Sequence, residues 1–427
     1  MKPALKSPIK SSIKSLSILI LTLSSLSGLA AASPAQDLFD QATLFLDFYY
    51  NGFSSSTPRA LTAKYASELR SACEPKGETC EYTVAIGVIQ KLLKDLGDPH
   101  SNYYTPAQLE ASRAARSGQG SSVLRIGLVT RQVEGSGERL VLDVVEASPA
   151  EVAGIKRGDR ITAANGIILP SDTTENPKVI SGLAGTGEPF KLAIKRAGTA
   201  LEVEVQGKML PVRAPSLRLI AGGTYLLRIP DFLGPTVGAR IHELVLEAQE
   251  KGATGLVVDL RDNGGGLATE CLSGVGAFIG EVARVRESKL DRVTEGYRDG
   301  QLYRRDSKGR ETITATLKRV ARWEGPVTAM VNAGTGSCGE YFAADLQLSK
   351  RATVIGEATV GVGNTSTQIL GLLDGSGLQI TYAKSLQANG TPYPERVKPD
   401  LEIKDDLDLL SSTGRDQVLD AALARLK

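Results

Sequence analysis

Between Thr224 and Gly356, short apolar runs of β character alternate with amphipathic helical stretches, and no other feature narrows the fold as much. Strands are expected at Thr224 to Ile229, Gly255 to Leu260, Pro326 to Asn332 and Thr353 to Gly356. Helices are expected between them at Pro235 to Glu250, Ala268 to Ile279 and Cys338 to Leu348. Strands joined through helices pair in parallel, so this order implies an α/β core of βαβ units. Active groups on such cores lie beyond the carboxyl ends of the strands. Two of those ends carry glycine turns, Asp262-Asn263-Gly264-Gly265-Gly266 and Asn332-Ala333-Gly334-Thr335-Gly336-Ser337-Cys338-Gly339-Glu340. In the second, Ser337 stands at a strand-to-helix turn, where the free N–H groups of a helix start can stabilise an oxyanion, and it is the candidate nucleophile. For the triple glycine, a tight strand-to-helix connection is the simpler alternative.

Upstream the pattern changes twice. Residues 37–117 read as a helical region: Leu38, Ala42, Phe45, Phe48 and Tyr49 recur at helical spacing, Val84 to Leu96 repeats the pattern, and Gly97-Asp98-Pro99 stops it. Ser117 to Ser122 reads as a flexible linker. Residues 123–207 then read as short strands with one or two helices, through Ile126-Gly127-Leu128, Ala147-Ser148-Pro149-Ala150, Gly158-Asp159-Arg160-Ile161 and Asn165-Gly166. The succession resembles a PDZ domain, with a generic β-rich domain as the alternative. A PDZ domain captures an extended peptide C-terminus; the resemblance assigns carboxylate binding to the backbone N–H groups of Ile126, Gly127 and Leu128.

Lys2, Lys6, Lys10 and Lys14 precede the apolar run Leu16 to Leu23, and Ala30-Ala31-Ala32 follows it; residues 1–32 are expected to be a secretory signal peptide, too short to span a membrane. Its removal takes the formal charge from +2 to −2, so the positive balance belongs to the leader, and nothing in the composition points to nucleic acid. A secreted or periplasmic, cell-envelope location follows as an expectation. There a disulfide between Cys73 and Cys80 is expected to close a small loop. A second, between Cys271 and Cys338, is the alternative to free thiols, because both follow glycine-rich turns that should converge. No metal or cofactor is expected, since His100 and His242 are the only histidines.

Together, Thr335 to Glu340, Asp259 to Gly266, Gly356-Glu357-Ala358-Thr359, Asp98-Pro99-His100-Ser101 and Lys398-Pro399-Asp400 resemble the carboxyl-terminal processing serine peptidases. So does the order of helical arm, PDZ domain and α/β core, the last over residues 208–427 with a C-terminal helix. The resemblance implies a ClpP/crotonase-like peptidase core, substrates that are proteins or peptides with accessible C-termini, and self-association through the N-terminal helices, for which packing within the arm is an equal account. It implies that Ser337 attacks the scissile carbonyl while the N–H groups of Cys338 and Gly265 hold the oxyanion.

One position departs from the family. Its members place a lysine base twenty-five residues after the serine and a glutamine four further on; here those positions are Val362 and Ser366, and no lysine lies between Ala352 and Ala383. Valine accepts no proton. Lys384 is the nearest downstream amine, and would need burial to act as a base. His100 is the favoured substitute, because imidazole titrates near neutrality and tricorn-like relatives carry a histidine at this place; a turn-stabilising histidine is the alternative. Glu357 or Asp98 is expected to orient the ring. A thiol nucleophile at Cys338 would need a cation or imidazole partner. Two functions follow: a secreted serine endopeptidase with an unusual base, or a silent relative whose PDZ domain and cleft bind peptides.

Overall fold

The computed structural model describes residues 32–119, 124–172, 175–211 and 213–426. The expected leader lies outside the described residues but for its last position, and so do residues 120–122 of the expected linker.

Helices Pro34–Tyr49, Pro58–Cys73 and Tyr82–Leu96 pack around Leu38, Phe39, Leu46, Leu69, Ile89 and Leu92. The first two start alike, as does Pro106–Arg116 after them: Ser33, Thr57 and Thr105 each accept a hydrogen bond from the third residue on, and proline stands at the next position, where no N–H is needed. The Cys73–Cys80 disulfide closes the second helix onto the third. After Gly97 the chain turns through Asp98-Pro99-His100-Ser101 into a short strand, Asn102–Tyr104, that pairs antiparallel with Gly377–Gln387 of the core. That pairing brings His100 from the arm to the core.

Residues 124–206 form a separate sheet. Strands Leu128–Gln132, Arg139–Val144, Arg160–Ala164, Pro189–Arg196 and Thr199–Gln206 pair in that order, with helices Pro149–Val152 and Asn176–Thr186 against them and a core around Val141, Ile161, Phe190 and Leu192.

The core layer is a six-stranded sheet in the order Leu401–Glu402, Thr353–Gly356, Val327–Val331, Gly255–Asp259, Thr224–Arg228, Ser216–Ala221, parallel except for the last. Alternation along the strands sends Leu256, Val258, Ala329 and Val331 against helices Val237–Glu250, Ala268–Ile279 and Cys338–Leu348, and Val257, Met330 and Ile355 against helix Gln417–Ala424. A second sheet adds to the βαβ order expected from the sequence. It is antiparallel, joining Asn102–Tyr104, Gly377–Gln387, Glu281–Ser288, Arg292–Arg298, Gln301–Arg305 and Glu311–Thr316, with Thr365–Gly371 also on Gly377–Gln387. It supports the far side of the site.

Candidate active site

Ser337 is the N-cap of helix Cys338–Leu348 and sits at φ 50°, ψ −116°. A residue with a Cβ holds that conformation at a cost of about 1–3 kcal/mol, so something must enforce it. Glu340 does so. Its buried carboxylate accepts from Ser337 N at 2.9 Å, Gly361 N at 2.8 Å, Val362 N at 3.0 Å and the Thr359 hydroxyl at 2.5 Å. Burial pushes this carboxyl up while its four donors pull it back. Glu340 therefore ties the serine turn to the loop of Gly361 and Val362, where the resemblance implies a lysine, a role not read from the sequence; the glutamate three residues into a helix after serine is the capping-box signal that points to it.

The triple-glycine loop lies directly on this turn. A Cβ on Gly265, at φ 100°, would meet Ser337 Cβ at 2.7 Å and Cys338 N at 2.9 Å, so only glycine fits there. Phe232 clamps the loop, its N–H donating to Gly265 O at 2.8 Å and its carbonyl accepting from Leu267 N at 2.7 Å, while its ring stacks on Phe342 of the serine helix at 5.6 Å. Of the two expected oxyanion donors, the Cys338 N–H has no acceptor among the described residues. The Gly265 N–H is already donated to Asn263 Oδ1 at 2.9 Å, so it is not free in this conformation. A disulfide joins Cys338 to Cys271 of the neighbouring helix, so neither thiol is available as a nucleophile.

His100 is 8% exposed, and its Nδ1 lies 2.9 Å from Thr365 Oγ1. Thr365 Oγ1 also lies 3.4 Å from Val362 O, and Nε2 of His100 has no partner among the described residues. Burial holds the imidazole down at about 4, against the pull of Asp98, so it is neutral at neutral pH. The ring is thus oriented by Thr365 and not by Glu357, whose side chain makes no hydrogen bond among the described residues. Asp98 instead shapes the turn, accepting from His100 N at 3.0 Å and Ser101 Oγ at 2.8 Å. Tyr341, one turn along the serine helix, donates to Thr365 O at 2.9 Å, so the helix of Ser337 also places the strand that steadies His100.

Lys384 points elsewhere. On Gly377–Gln387, Ala383 and Ser385 face the core and Lys384 the other side, with its Nζ over the Phe53 ring at 4.7 Å. Val362 is buried and held by its backbone, and Ser366 bonds Ser385 Oγ at 3.1 Å. His242 is a packed core residue, its Nε2–H donated to Ser273 O at 3.0 Å and its Nδ1 accepting from Ala321 N at 2.9 Å.

Ser337, Gly264 to Gly266, His100, Gln379 and Thr367 line one cavity of about 1150 Å³. The same cavity continues between strand Leu128–Gln132 and helix Asn176–Thr186, past Ile126, Gly127, Ile180 and Ala184. The N–H groups of Ile126 and Gly127 have no acceptor among the described residues, and Gly127, at φ 84°, would drive a Cβ to 2.2 Å from Ser148 Cβ. Among the described residues no group of three or more His, Cys, Asp or Glu could hold a metal ion.

A serine on a strained strand-to-helix turn, a glycine loop against it and a peptide-type groove opening on the same space define a PDZ-bearing serine peptidase architecture. Residues 224–403 match the model of peptidase family S41 and residues 125–206 that of a PDZ domain, so the chain carries an S41 peptidase domain and a PDZ domain. It is 28% identical over 319 residues to the carboxy-terminal processing protease CtpA of Bacillus subtilis, covering 74% of this chain and 63% of that protein. It is 28% identical over 395 residues to the chloroplastic C-terminal processing peptidase of Tetradesmus obliquus, covering 88% and 80%. Its fold matches that of a photosystem II D1 C-terminal processing protease, with TM-score 0.52 and 22% identity over 89% of this chain and 97% of that one. It also matches an S41 protease of Bacteroides fragilis, with TM-score 0.54 and 17% identity over 78% and 88%.

Proposed function

We propose that the protein is a secreted endopeptidase that cuts proteins or peptides recognised partly by their C-termini, with Ser337 as nucleophile and His100 as general base. The observation that carries this is the shared cavity: the Ser337 hydroxyl, the His100 ring and the free N–H groups of Ile126 and Gly127 all open on it. His100 Nε2 takes the hydroxyl proton as Oγ bonds to the scissile carbonyl carbon, then returns it to the departing amine; water hydrolyses the acyl-enzyme by the same route. The Cys338 N–H receives the oxyanion, and Gly265 joins once its N–H swings from Asn263 Oδ1. Loss of one such donor costs about 3–4 kcal/mol of transition-state stabilisation.

A silent, peptide-binding relative is the second reading. It is favoured by Val362 in the lysine position and by the absence, among the described residues, of a hydrogen bond between Ser337 Oγ and any base. A fluorophosphonate separates the two. Labelling that Ser337→Ala and His100→Ala abolish and Lys384→Ala spares is the expected result; a well-folded wild type that does not label is the adaptor.

A further inference from the structure

The strands carrying the two glycine turns end in a buried cluster of charges that no step of the chemistry uses. Asp405, 8% exposed, lies between strand Leu401–Glu402 and helix Leu407–Thr413. Its carboxylate accepts from Arg157 Nη2 at 2.9 and 3.1 Å, Arg261 Nη1 at 3.3 Å and Asn332 Nδ2 at 3.2 Å. The other end of that amide, Asn332 Oδ1, accepts from Asp262 N at 2.9 Å and Gly334 N at 3.0 Å. One carboxylate thus holds, through a single side chain, the start of the oxyanion loop and the start of the serine turn. Arg261, the residue before Asp262, grips Asp259 with a two-point fork and Asp416 with its remaining nitrogen.

Arg157 belongs to the PDZ domain, where its Nε donates to Leu142 O at 3.1 Å. We propose that Asp405 is a positioning residue for both glycine turns and that Arg157 holds it in place. Removing one partner of a buried ion cluster leaves an uncompensated charge that must find another, and here the nearest alternatives are the groups that shape the turns. The domain does not depend on Arg157 to stay seated. Leu140 and Leu142 pack on Leu407 and Leu410, and Arg160 pairs with the exposed Asp408 without reaching either turn. Arg160 is therefore a matched control: the same domain, the same C-terminal segment, and no bond to the site.

The catalytic part of this inference rests on Ser337 acting as a nucleophile; the structural part does not, and the test keeps them apart. In hydrogen exchange on the full chain, Arg157→Gln is expected to speed the amides of residues 262–266 and 333–338 roughly 2- to 30-fold, and Arg160→Gln to leave them as in wild type. With a small fluorophosphonate, too short to reach the PDZ groove, Arg157→Gln lowers the maximal inactivation rate by a similar factor with no change in the reagent concentration for half-saturation. Unchanged exchange at both turns in Arg157→Gln, or equal acceleration by Arg160→Gln, overturns the proposal. A wild type that exchanges as expected but never labels overturns the serine mechanism and leaves the positioning intact.

Discussion

At the scale of single residues the site is a set of ties to Ser337, and the ties explain which sequence expectations could be formed. The serine and its glycine partner loop were legible because their shape demands residues without side-chain bulk at set places: Gly265 has no room for a Cβ beside Ser337. The tie from Glu340 to Val362 was not legible, since it reaches a backbone N–H, and any residue supplies one. Thr365 was missed for a related reason: a hydroxyl that steadies a histidine 265 positions away leaves no local pattern. His100 yields a prediction through its protonation. The unfolded chain takes this proton near 6.5 and the folded one only near 4. Between those values the folded state binds fewer protons, so stability rises with pH and is lost as pH falls through the window. Wild type should therefore lose stability relative to His100→Gln on going from pH 7 to pH 4.5 in urea titrations, and parallel curves would contradict the burial described. Under the histidine mechanism, the acid limb of fluorophosphonate inactivation should likewise fall near pH 4 and not near 6.5.

At the scale of elements, the strands of the parallel sheet were readable because burial on both faces makes them continuous apolar runs, as in Gly255–Asp259, whose residues are all buried. The antiparallel sheet was mostly not readable. Glu311–Thr316 alternates Ile313 and Ala315 with threonine yet is exposed along its whole length, so its place comes from pairing with Gln301–Arg305 and not from a buried face. The strand Asn102–Tyr104 is only three residues long, yet it carries the histidine to the core. Its anchor is Ser101, whose Oγ accepts from Thr381 N at 3.1 Å and donates to Asp98 Oδ2 at 2.8 Å. Ser101→Ala leaves a buried N–H unsatisfied and should cost about 1–3 kcal/mol. Thermal unfolding should register that loss, together with slower labelling of Ser337; a variant equal to wild type in both would show that the strand is held by other contacts.

For the molecule as a whole, three units meet around one cavity, and covalent bonds reinforce two of them. The Cys73–Cys80 bridge closes a loop worth about 2–3 kcal/mol by chain entropy, and Cys271–Cys338, 67 positions apart, about 4 kcal/mol. Cys271→Ser with Cys338→Ser should lower the denaturant midpoint more than Cys73→Ser with Cys80→Ser. Under the proposed serine mechanism the first pair alone should also slow labelling, because that mechanism assigns the oxyanion to the Cys338 N–H. A larger effect from the second pair on labelling would mean that the arm, and not the helix pair, sets the site.

The loop from Gly361 to Gly363 is tied to Glu340 through main-chain N–H groups, and neither of those hydrogen bonds uses the side chain at Val362. A scaffold of that kind separates architecture from chemistry: a lineage can exchange the proton acceptor for a hydrocarbon, or regain it, by one codon's drift without redrawing the pocket.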